Sequence, residues 1–226
     1  MAESKKVLYV ISAVLLLSFS LGFAFEFGGG GPMVLYFPGG SLLSLKNINV
    51  PIPDFSDFQS GVLAIGGYGY GGLPGKMSSG GYGFAGESEI TKDGAKYKLE
   101  ISGGYGGGYN KISFGPISLT TGLGLGSFDV ALSRKVNEDN IDLTNLQNGN
   151  LEGYLGINIS YLSVSGNLAL ALKLGNFVEL QVGTMVFAGY SIDGWQVNGK
   201  QLTGIIQNDY KFLLNYALYG GIGFGF

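Results

Sequence analysis

Between Leu162 and Leu174 the chain alternates with period two: Leu162, Val164, Gly166, Leu168, Leu170, Leu172 and Leu174 share one parity, while Ser163, Ser165, Asn167, Ala169, Ala171 and Lys173 hold the other. Successive side chains of a strand point to opposite faces, so a run this long commits the segment to a strand with one apolar face. The pattern resumes after Gly175 and Asn176, with Val178, Leu180, Val182, Thr184, Val186 and Ala188 opposed to Glu179, Gln181, Gly183, Met185 and Phe187. A three-residue loop at 175–177 pairs Leu174 with Val178 and sets Lys173 beside Glu179. Both apolar rows then lie on the same face.

The Asp93-Gly94 dipeptide predicts a second hairpin, because it suits a two-residue turn with positive φ at both central positions. That register pairs Ile90 with Tyr97 and Ser88 with Leu99 on one face, and Glu89 with Lys98 and Thr91 with Lys96 on the other. Further strands are expected at Gly61–Gly71, Lys76–Ile90, Ala95–Gly107, Ile117–Ser133, Glu152–Tyr161, Phe177–Tyr190 and Tyr210–Phe226. With 162–174 they make about 8 strands, a number whose closed barrel is filled by its own side chains. Within 117–133 the apolar parity changes from Ile117, Leu119, Leu123 and Leu125 to Phe128, Val130 and Leu132, which predicts a bulge near Gly126.

Residues 25–60 carry the glycine run 28–31 and Pro32, Pro38, Pro51 and Pro53. Proline has no ladder N–H, so this stretch is expected to be an irregular Gly/Pro-rich arm or plug in which Met33–Phe37 can pair locally, with the barrel at 61–226. Before it, Lys5 and Lys6 precede the apolar run Val7–Phe25, which ends in small residues. That arrangement reads as an export signal over 1–24, cut after Ala24, with an uncleaved N-terminal helix as the other reading. Two polar connections stand out: Arg134–Gly153, with Glu138, Asp139 and Asp142, and Ser191–Asp209, which holds Trp195.

Composition decides what surrounds the strands. Charged residues are 13% of the chain, about half the usual share. The 42 glycines, 15 phenylalanines and 14 tyrosines suit close backbone packing and interfacial anchoring better than a hydrated surface. A net charge of −3 without a basic cluster past Lys6 gives no grip on nucleic acid. With neither cysteine nor histidine, thiolate chemistry and the commonest general base and metal ligand are missing; no catalytic, cofactor-binding or metal site is expected.

The chain ends on Tyr216, Leu218, Gly220, Ile222, Phe224 and Phe226, alternating with Ala217, Tyr219, Gly221, Gly223 and Gly225. This ending resembles the C-terminal signal of bacterial outer-membrane β-barrels, which close on an aromatic residue preceded by alternating apolar ones. The resemblance covers eleven residues, and its glycine-rich opposite face departs from the more polar lumen of familiar members. It implies an all-β, antiparallel up-and-down membrane barrel in the outer membrane, surrounded by lipid. It also implies that Tyr216, Leu218, Ile222, Phe224 and Phe226 are read by the barrel-assembly machinery. The enzymes of such families rely on a histidine that this chain lacks.

In that setting Glu87, Glu89, Lys96, Lys98, Glu100, Lys173 and Glu179 are expected to point inward, since Lys on the lipid face at the bilayer midplane costs about 2–4 kcal/mol. They would form an ion-paired core or line a narrow pore. Tyr68, Tyr70, Tyr82, Tyr105 and Tyr109 are expected in an interfacial girdle. The string Gly67, Gly69, Gly72 matches GxGxxG, but no helix follows it, and Asn158-Ile159-Ser160 matches a glycosylation acceptor in composition only. The expected function is a structural or envelope-stabilising barrel that admits a narrow pore for small solutes and a homo-oligomer. The alternatives are an exported Gly/Tyr-rich surface protein that assembles with copies of itself, and a barrel holding a small apolar ligand. Sequencing the mature N terminus should give a start near Phe25; a start at Ala2 would instead identify the segment as an anchor.

Overall fold

The computed structural model describes residues 27–39, 57–72, 78–92, 95–135, 155–197, 199–201 and 210–225. Among the described residues there are ten strands: β1 (Phe27–Phe37), β2 (Val62–Gly72), β3 (Ser78–Lys92), β4 (Ala95–Phe114), β5 (Ile117–Lys135), β6 (Leu155–Leu174), β7 (Val178–Tyr190), β8 (Gln196–Val197), β9 (Lys200–Gln201) and β10 (Phe212–Phe224). Eight of them close a barrel in the order β5-β4-β3-β2-β1-β10-β7-β6, with β6 returning to β5. Every pairing is antiparallel. The small β8–β9 hairpin extends from the upper part of β6, through Ile157↔Val197.

Both predicted hairpin registers are present. Leu174 pairs with Val178 and Lys173 with Glu179, and Ile90 pairs with Tyr97 and Glu89 with Lys98. Asp93 and Gly94 themselves lie outside the described residues. So do the leader 1–24, Phe25, the connection 40–56 with Pro51 and Pro53, the acidic loop around Glu138, Asp139 and Asp142, and Phe226.

Two expectations about the strands change. Residues 27–37 are a barrel strand rather than an arm or plug, paired along their whole length with β2 and, at the seam, with β10. Pro32 is tolerated because the ladder it interrupts is that seam: pairing runs at Gly30↔Phe224 and again from Met33↔Gly221 to Tyr36↔Leu218, skipping Gly31 and Pro32. A proline at such a gap forfeits no bond of a continuous ladder. The described part of the segment expected at Glu152–Tyr161 and the segment Leu162–Leu174 are one strand, β6, which explains why no turn signal separates them. The total of eight survives because one strand is gained and one merged.

The bulge expected at Gly126 is also absent. β5 stays in unbroken register with β4 and β6 across Gly126. Leu123 and Leu125 face outward while Phe128, Val130 and Leu132 are buried inside. The parity change in the sequence is the apolar row moving from the outer face of the barrel to its interior.

The rims differ. Residues 73–77, 115–116 and 175–177 join strands at one rim, where β1 begins and β10 ends. At the other rim lie the long connections 38–61, 136–154 and 191–211 and the extended β3–β4 hairpin.

Aromatic rings fill space that inward glycines vacate. A Cβ at Gly103 would meet the ring of Phe84 at 2.8 Å, and one at Gly122 would meet the Tyr109 ring at 2.6 Å. At Gly126 a Cβ would fall on the Gly104 carbonyl. Two outward glycines are different: at Gly69 and Gly104 a Cβ would meet nothing within 4 Å. Gly126→Ala is therefore expected to destabilise by about 1–3 kcal/mol through overpacking. Gly69→Ala should instead stabilise by roughly 0.5–1 kcal/mol as strand entropy is reduced. Urea unfolding of the detergent-folded protein, read by tyrosine fluorescence, separates the two.

Candidate functional site

Phe37, Phe84, Phe128 and Phe187 come from β1, β3, β5 and β7, alternate strands whose inward positions converge on the axis. All six ring pairs are in contact, with centroids 5.3–5.9 Å apart. Four large side chains contributed by alternate strands make a layer across a small barrel. Leu99, Val130, Ile159 and Tyr161 continue the core toward the long-loop rim, where Phe58 and Trp195 are fully buried in the same cluster. Tyr161 donates to the Tyr210 carbonyl at 2.9 Å and so ties the end of the last long connection to the interior.

Below the phenylalanine layer the interior becomes polar. Tyr105 stacks on Tyr82 at 5.1 Å and contacts Phe187 at 5.4 Å, with its hydroxyl 2.5 Å from Ser163 Oγ. Tyr68, Tyr70 and Tyr109 form a second run of ring contacts. These five tyrosines therefore turn inward and do not form the expected outer girdle. Toward the short-turn rim, Ser118, Thr120, Ala169, Ala171 and Gln181 are buried small or polar side chains. Among them lies Glu179, fully buried, paired with the Lys111 ammonium and accepting from Gln181 Nε2 at 2.8 Å.

The expected lumen charges thus divide. Glu179 lies inside, and Lys173 shares its face in register. Glu87, Glu89, Lys96, Lys98 and Glu100 lie on the outer face of the β3–β4 hairpin, because Tyr97, Leu99 and Ile101, which alternate with them, occupy the interior. Lys98 reaches Glu87 at 2.6 Å and Glu100 at 2.8 Å there. An inward orientation for all seven would require the apolar row to keep to one face of the wall from rim to rim, and it does not. Lys111, the true partner of Glu179, was missed, although it shares the parity of Tyr105 and Tyr109. Phe58 and Trp195 carry no periodic signal at all.

The outer face is apolar over most of the barrel. Leu123 is 76% exposed, Ile65 69% and Val182 64%. On β10, Tyr216, Leu218, Ile222 and Phe224 all point outward, with Ala217 and Tyr219 buried opposite them. Two grooves open on this wall. One, of 660 Å³, crosses β2–β6 from Leu63 and Ile65 to Glu87, Glu100 and Asp129. The other, of 770 Å³, crosses β4–β7 beside Gly108, Gly166 and Leu168.

Among the described residues this architecture is a closed, antiparallel eight-stranded β-barrel. It is similar to the crystal structure of a major outer membrane protein from Thermus thermophilus, with a TM-score of 0.54 and 12% identity over 89% of this chain and 100% of that one. No protein-family model matches the chain, and no curated protein matches it in sequence.

The buried ion pair yields a graded expectation. Lys111→Met leaves Glu179 uncompensated and should cost about 3–5 kcal/mol, whereas Lys111→Met with Glu179→Leu should recover most of that loss. Equilibrium unfolding of both variants tests this; equal destabilisation would show that the pair's attraction, not the stranded charge, dominates.

Proposed function

We propose that this protein is an outer-membrane β-barrel with a structural, envelope-stabilising role and no open pore. The observation that carries the reading is the four-phenylalanine layer. With every pair of Phe37, Phe84, Phe128 and Phe187 in contact, and with the core continuing above to Trp195, the interior is packed across its section.

The outer wall supports the membrane placement. Leucines at this exposure, continuous over β5, β6, β7 and β10, far exceed the isolated apolar residues of a water-facing surface. In hydrocarbon the same row costs nothing, and closure leaves no ladder edge to satisfy. The rim of short turns, which also carries both ends of the barrel, then faces the periplasm and the long connections face outside. The charges of the β3–β4 hairpin stand above the hydrocarbon, where Lys98, Glu87 and Glu100 stay hydrated. On this reading the outward row of β10 is the segment that the assembly machinery takes up, and the barrel's lasting partner is lipid.

Heat-modifiable migration in detergent and β-type circular dichroism after membrane extraction are expected. In planar bilayers the folded protein should give no steps above the bare membrane. Discrete conductance steps would overturn the closed interior, and a folded monomer in the aqueous fraction would overturn the membrane placement.

A further inference from the structure

Two outward rows run across the barrel wall from Leu63 and Ile65 on β2 to β6. In one, Glu87 pairs with Glu100, and the row continues to Asn158 on β6. In the next, Ser102 pairs with Asp129 and Asp129 with Ser160. Ala85 and Ala131 contribute only methyl groups between them, and with the exposed Leu63 and Ile65 of β2 these residues line the 660 Å³ groove. That volume falls within the roughly 300–1,000 Å³ typical of small-molecule sites.

Directly below the groove the wall loses its side chains. Gly67 pairs with Gly83 and Gly83 with Gly104; in the following row Gly69 pairs with Gly81 and Gly81 with Gly106. Internal packing does not demand glycine at several of these positions. A Cβ would meet nothing at Gly69 or Gly104, and its nearest neighbour would be 3.9 Å away at Gly106 and 3.5 Å away at Gly83. Glycine inside a strand lowers stability, so a cluster with internal room reflects what approaches from outside.

Charge selects the class of visitor. Glu87, Glu100 and Asp129 line the groove, and Lys98, at its rim, is already held between Glu87 and Glu100. A phosphate head group would meet carboxylates there. Sugar hydroxyls can donate to Glu100 and Asp129, exchange hydrogen bonds with Ser102 and Ser160, and accept from the Asn158 amide.

We propose that the groove and the glycine rows beneath it bind an amphipathic membrane lipid with an uncharged, hydroxyl-rich head, a glycolipid. Its sugar lies beside Glu100, Asp129 and Asn158, and its acyl chain lies flat on the backbone of Gly67, Gly83 and Gly104. The site rests on the membrane placement proposed above, since that placement puts the groove at head-group level and the glycines at acyl-chain depth.

The test uses the full-length protein in nanodiscs of phosphatidylcholine alone, with added monogalactosyl diacylglycerol, or with added phosphatidylglycerol. The galactolipid should raise the Tm by several degrees, as binding to the folded state alone requires, and phosphatidylglycerol should not. Asn158→Leu and Gly104→Leu, both at outward positions, should melt like the parent in phosphatidylcholine and lose the galactolipid shift. A shift retained in both variants, an equal shift with phosphatidylglycerol, or no shift in the parent would overturn the site. Crosslinked dimers that disappear in Gly104→Leu would assign the glycine rows to a second copy instead. Failure to enter nanodiscs at all would count against the membrane placement rather than against the lipid site.

Discussion

Four rings meeting at the axis of a narrow barrel leave no slack in the wall around them. Phe37, Phe84, Phe128 and Phe187 touch one another in every combination, and the neighbouring strands must give up Cβ atoms to accommodate the aromatic side chains around that layer. Gly103 beneath Phe84 and Gly122 beneath Tyr109 are such concessions. Part of the glycine content is thus the complement of the aromatic content, while Gly66, Gly107 and Gly126 answer to neighbouring backbone carbonyls instead.

The barrel has two environments along its axis, and the faces exchange roles between them. Near the short-turn rim the interior holds serines, alanines and one buried ion pair, while leucines cover the outside. Near the long-loop rim the interior is a hydrocarbon core like that of a water-soluble domain, with carboxylates and lysines outside. β5 shows the exchange within one strand, with Leu123 and Leu125 out and Phe128, Val130 and Leu132 in. On the membrane placement proposed above, this exchange follows because the solvent beyond the outer face changes along the strand while the need for an apolar core does not.

That exchange also marks what could be read from the sequence. Alternation and turn chemistry settled the class, the antiparallel order and the two hairpin registers, since each is local. The outward row of β10 was equally legible. Orientation was not: Glu100 and Lys98 were assigned to the interior on the premise of a wall wholly in lipid. Strand membership failed at β1, where Pro32 argued against pairing and only the closed sheet reveals that it falls at a gap in the ladder. Lys111 and Glu179 meet across the barrel, and no spacing in the chain encodes a contact between β4 and β7.

The seam between β1 and β10 joins the two ends of the barrel-forming chain, and five register pairs hold it where β10 and β7 share thirteen. Until β10 exists, the sheet has open edges at β1 and β7 and cannot become a cylinder. A product truncated before Phe212 has no closed form to reach, so the shortest ladder of the barrel wall is also the one on which closure depends.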